Sequence, residues 1–218
     1  MPASITIPIS VFEVTVLYDK PDFQLLVNRT QILQELFAAF AEWSPSVDDT
    51  EVLNTGKLSD QGARFKISSQ SSSFFFGPTS CKFTKDHGNW SEAELVIKLL
   101  RLALEALQRS TGVTFGIRSS VLSLHLQPTT VPFRDILRKF IVPEILTLDQ
   151  EPPLIMAVVT GWRKHRITLD NSAALANGIF LQVEREFEAQ TSFEDMMQAI
   201  FTDQQQLFKL LDVQEDAS

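Results

Sequence analysis

The stretch SSSFFFGPTS, residues 71–80, sets three phenylalanines between a run of serines and a Gly-Pro turn. In an extended strand successive side chains point to opposite faces, so Phe74 and Phe76 go one way and Phe75 the other. A strand that is apolar on both sides needs cover on both, from a helix on one face and a second layer or a partner on the other. The competing reading makes Phe74, Phe75 and Phe76 the walls of an apolar pocket or interface. Burial is the favoured reading. Membrane insertion is disfavoured, because the neighbouring serines supply no basic anchor for lipid headgroups.

Working outward, ARFKIS before the block and SCKFTK after it read as flanking strands, with Gly77-Pro78 as the turn. Upstream, VFEVTVLY (11–18) is rich in β-branched and aromatic residues and reads as a strand. Ile32, Leu33, Leu36, Phe37 and Phe40 then recur at helical spacing. Downstream, Ser91 and Glu94 form a capping-box pattern ahead of an apolar face running from Leu95 to Leu107. A long strand follows over TFGIRSSVLSLHLQP, and Pro132 opens a short third helix. PPLIMAVVTGW with RKHRITLD makes a strand pair, GIFLQVEREFE alternates as a strand, and a last helix starts at Thr191 with Glu194 as a second capping box. The tail VQEDAS is expected to fray.

Strands grouped in meanders between about four helices define an α+β fold with mostly antiparallel strands. Two sheet-and-helix halves, 1–128 and 129–218, fit this order, as does one continuous domain. With 218 residues, 44% of them hydrophobic and 21% charged, the composition is that of a globular chain with a real core. Seventeen phenylalanines against one tyrosine favour dry packing or an apolar pocket.

Charge narrows the partners. The net charge of −8 is uneven: residues 1–60 hold three basic and nine acidic side chains, 61–170 fourteen and nine, and 171–218 two and nine. An acidic total makes nucleic acid an unlikely partner, since such binding depends on neutralising phosphates. The acidic ends could steer a basic protein partner. Lys98, Arg101 and Glu105 interrupt the most apolar helix, so no membrane association is expected. The N-terminus has no basic region ahead of its apolar residues, and Cys81 is alone; both point to a reducing, cytoplasmic setting.

No local motif carries chemistry. His87, His125 and His165 are far apart, and VDDTE (Asp48, Asp49, Glu51) lacks the spacing of a calcium loop, so no metal or cofactor is expected. GPTSC offers Ser80 and Cys81 without an assured base, and Cys81 alternates with Phe83 as a small hydrophobe would. Lys164, Arg166 and Thr168 share one strand face; Glu184, Glu186 and Glu188 share one face of a later strand, and a solvated ladder between them is favoured over phosphate binding. Two residues break the pattern: Arg118 has the parity of Leu122, Leu124 and Leu126, and Arg185 that of Leu181 and Val183. A lone guanidinium in a core is costly, so each needs a carboxylate, a ligand, a partner or an edge. His125, on the strand face of Val121 and Ser123, completes the set of candidate ligand- or partner-binding residues, and no catalytic residue is assigned.

The segments GNWSEAEL, GIRSSVLSLHLQP and LQVEREFEAQTSFEDMMQAIFTDQQQLF together resemble an uncharacterised family of sporadically distributed bacterial proteins of about this size. That resemblance implies a bacterial source and brings no activity or functional residue. The leading expectation is therefore a non-enzymatic protein-binding or assembly protein, a homo-oligomer held through apolar surface. The alternative is a pocket protein or enzyme for a small apolar ligand bearing an anionic group, held by Phe74 to Phe76 with Arg118 or Arg185.

Overall fold

The computed structural model describes residues 2–54, 56–57, 61–132, 135–136 and 165–216, and the backbone alone of 158–162. The expected short helix at 132–141, with Arg134 and Arg138, lies almost wholly outside them, as do Arg163 and Lys164.

The chain is α+β with mostly antiparallel strands. It forms two compact units that are not consecutive halves: a larger one of Val11–Ser120 with Glu186–Met196, and a smaller one of Met1–Ser10, Val121–Arg185 and Met197–Ser218. Strands β1 (Ala3–Tyr18), β6 (Phe115–Pro128) and β9 (Ile179–Phe187) contribute residues to both.

In the larger unit, β2 (Thr50–Leu53), β3 (Gly62–Ile67), β4 (Ser72–Phe76), β5 (Ser80–Asp86) and the second half of β1 pair antiparallel in that order. Their register answers the question raised by the phenylalanine block. Phe65, Phe74, Phe83 and Val14 face each other across four strands, and Ala63, Phe76, Cys81 and Val16 form the next row. All eight are buried. They meet helices α2 (Arg29–Ala39) and α3 (Ala93–Thr111), which follow the short α1 (Gln24–Val27) and bury Ile32, Leu36, Leu99, Leu100 and Ala103. The Phe37 ring stands edge-on to Phe65 at 5.1 Å, and Phe40 stacks on Phe65 at 5.6 Å. The opposite sheet face carries Glu51, Arg64, Phe75, Lys82 and Thr15 in one cross-strand row.

In the smaller unit, β7 (Val158–Trp162), β8 (His165–Asn171) and β9 are antiparallel neighbours. Leu122, Leu124, Leu126, Ile179, Leu181 and Val183 supply the buried side of the sheet. Helix α4 (Phe193–Leu211) adds Met197, Ile200, Leu207, Phe208 and Leu211 to that core. The tail does not fray at once: β10 (Val213–Glu215) pairs in parallel with Ala3–Ile5, and the Asp216 amide donates to the Ile5 carbonyl. An open strand edge with unpaired backbone groups captures it, which local composition does not announce.

Both capping boxes are displaced. Asn89 with Glu92 caps the turn that leads into α3, and the Ser91 hydroxyl only donates to Asn89 Oδ1. At α4 the cap is Ser192, which accepts the Asp195 amide at 3.0 Å and donates to Asp195 Oδ2 at 2.7 Å. Glu194 instead binds Arg101 through both carboxylate oxygens, at 2.6 and 2.8 Å. Each site offers two overlapping cap patterns, and the direction of chain entry selects between them.

Candidate functional site

Of the six candidate residues, Phe74, Phe75, Phe76 and Arg118 belong to the larger unit and His125 and Arg185 to the smaller. Phe74 and Phe76 are core residues, as the strand reading requires. Phe75 lies on the other face, where its ring covers two glycines: a Cβ built on Gly62 would come within 2.8 Å of Phe75 Cε2, and one on Gly77 within 3.1 Å of its Cζ. The cations beside it are paired, Arg64 with Glu51 at 3.1 Å and Lys82 with Glu13 at 2.5 Å. Phe75, Arg64, Lys66, Lys82 and Thr84 line an open concavity of about 650 Å³.

Arg185 points where its parity puts it, and the answer is an internal ion pair. Its Nη1 donates to Asp203 Oδ2 at 2.9 Å, and His165 Nε2 lies 4.0 Å from the same oxygen. The carboxylate comes from the middle of α4, so no pattern local to β9 could reveal it. Arg118 is half-buried. Its Nη1 donates to the Thr191 carbonyl, its guanidinium lies 4.4 Å over the Phe193 ring, and Nε has no partner among the described residues. Burial lowers its pKa from the usual value. A cation held by a π face and one carbonyl is stabilised in place without a counter-charge.

Of the expected charge ladder, one pair between β8 and β9 lies among the described residues, and Lys164 falls outside them. Arg166 and Glu184 are direct cross-strand partners 3.9 Å apart, both well exposed, so the pair contributes only a few tenths of a kcal/mol to order of magnitude. Lys85 was not singled out by the sequence. It is buried on the helix side of β5, where Nζ donates to the Gln70 carbonyl at 2.7 Å and lies 3.6 Å from Glu92.

His125 has a defined environment on β6. Its Nδ1 is 2.7 Å from Ser172 Oγ, and its ring is 5.1 Å from that of Phe180. Burial lowers its pKa from the usual imidazole value. Cys81 is fully enclosed, and burial pushes its thiol up to about 12. A thiol so placed is a packing residue. It should be unreactive to an aromatic disulfide reagent in the native protein at pH 8 and titrate as one thiol in denaturant; fast native labelling would contradict the packing role.

Among the described residues no group of three or more His, Cys, Asp and Glu side chains could hold a metal ion, and no helix is long and apolar enough to cross a membrane. The VDDTE segment forms an exposed turn whose Asp49 caps itself against Ser46 and Ser68.

No family model matches the chain, and no curated protein matches it. Among solved structures it is similar to a rolling circle replication initiator protein from Geobacillus stearothermophilus, at 10% identity and a TM-score of 0.35, over 91% of this chain and 80% of that one. It is also similar to an alkyldihydroxyacetonephosphate synthase, at 11% identity and a TM-score of 0.20, over 95% of this chain and 42% of the other.

Proposed function

We propose that this chain is a non-enzymatic protein-binding or assembly protein of the bacterial cytoplasm, self-associating through apolar surface of its larger unit. The observation that carries the reading is a set of large apolar side chains of that unit left in solvent. Leu17 is 45% exposed, Phe23 52% and Ile117 49%, and Val27 stands out on α1. Leu17 and Ile117 lie on strands that run side by side here, the Asp19 amide donating to the Thr114 carbonyl at 3.2 Å and Tyr18 meeting Phe115 at 6.2 Å between ring centres. Exposed large apolar side chains supply the contact area that a self-association surface needs. The bacterial setting rests on the family resemblance of the three quoted segments.

Size-exclusion chromatography with light scattering tests this. The wild type should run as a dimer or higher assembly, and Leu17→Glu with Phe23→Glu should run as a monomer of unchanged melting temperature. A second reading, a small apolar ligand with an anionic group, draws on the concavity around Phe75, Arg64 and Lys82. A strictly monomeric wild type stabilised by organic anions would replace the first reading with the second.

A further inference from the structure

Ser172 follows β8 and opens the connection to β9, and its hydroxyl is fully committed. Oγ accepts the Ala174 amide at 3.2 Å and the Leu175 amide at 2.9 Å, while the Ser172 amide donates to the Gly178 carbonyl at 2.9 Å. A serine hydroxyl has two acceptor sites and one donor. With both acceptor sites taken, the only group it can offer His125 Nδ1, 2.7 Å away, is its proton. The imidazole therefore has to be neutral with its hydrogen on Nε2. A protonated ring would bring a third donor to an oxygen that has no room for it.

We infer that the β8–β9 connection, residues 172–178, is a pH-responsive element held in its present turn by neutral His125. Protonating the ring forces either Nδ1 away from Ser172 or one of the two amides off Oγ. The turn is tightly packed: Asn177 has φ 58°, and a Cβ on Gly178 would sit 3.2 Å from the Leu126 carbonyl of the strand that carries His125. Loss of one amide bond is therefore transmitted along the connection.

Among the described residues, the charged groups near this face are few. Asp170 on β8 is the direct partner of Phe180, and its Oδ1 accepts the Asn171 amide at 2.7 Å. Glu184 on β9 is held by Arg166. On β6 itself Ser123 accepts from Gln182 at 3.1 Å, and Ala3–Ser10 of β1 carry no ionisable side chain. None of these offers His125 a contacting counter-charge, in keeping with burial as the cause of its lowered pKa. The sign follows: a histidine whose folded pKa is depressed stabilises the fold fully above its unfolded pKa of about 6.5, and that contribution is lost as pH falls towards the folded value.

The test is an NMR titration of the wild-type protein from pH 8 to 4.5, following the imidazole nitrogens and the amides of Ala174, Leu175 and Gly178. The expected result is an Nε2–H tautomer at high pH, with the three amides shifting at the His125 midpoint and Leu175 hydrogen-exchange protection falling about fivefold, as for one lost hydrogen bond. In His125→Asn those amides should no longer titrate. A neutral ring carrying its proton on Nδ1, or amides that stay still through the His125 transition, would overturn the inference.

Discussion

Phe74→Ala should lower the unfolding free energy by about 3–5 kcal/mol, the range for truncating a fully enclosed phenylalanine. Phe74 has 0% exposure and occupies the centre of the Phe65–Phe74–Phe83–Val14 row. Its neighbours on both sides are themselves fixed: Phe65 by Phe37 and Phe40, Phe83 by its place between two strands. The cavity cannot collapse, so both the lost transfer energy and the cavity term apply. Calorimetry should show a melting temperature lower by roughly 10 °C for a chain of this length. A fall of a degree or two would mean that the row is loosely packed and that the sheet does not form the core. Phe75→Ala, on the opposite face, should cost less than Phe74→Ala.

Gly62→Ala is expected to be nearly as severe, at about 3 kcal/mol, the upper part of the range for overpacking. A Cβ at this position would lie 2.1 Å from the Phe76 carbonyl oxygen and 2.8 Å from the Phe75 ring. The first obstacle is backbone of the neighbouring strand, so no rotamer change relieves it, and β3 has to move off β4. Gly56→Ala is the matched control, because a Cβ there meets nothing within 4 Å. Urea unfolding of the pair should separate them by a shift in midpoint with little change in slope. Equal midpoints would show that the β3–β4 contact yields easily.

Reading the strands from residue order succeeded where side-chain alternation was strong. The Phe block, VFEVTVLY and the long strand ending at Pro128 all follow from a period of two, because that period is imposed by the backbone itself. The same rule placed Arg118 and Arg185 on inward-facing parity. What parity could not supply was the answer to each charge. Asp203 lies eighteen residues beyond Arg185 on a different element, and the Phe193 ring lies seventy-five residues beyond Arg118. The His125–Ser172 bond spans forty-seven residues. The two displaced capping boxes show the limit at short range: neighbouring Asn, Ser and Thr residues offer equivalent oxygens, and only the path of the chain selects one.

From the order of residues alone came the α+β class, the antiparallel pairing of the phenylalanine strands and the two misfit arginines, because helix and strand periodicity are local properties of the backbone. Only the tertiary structure decided that Phe74 and Phe76 enter the core, that Arg185 is neutralised by α4, that the tail is captured by β1 and that His125 meets Ser172. Those outcomes depend on which distant segments meet, and meeting is determined by the burial of the whole apolar surface at once rather than by any one stretch.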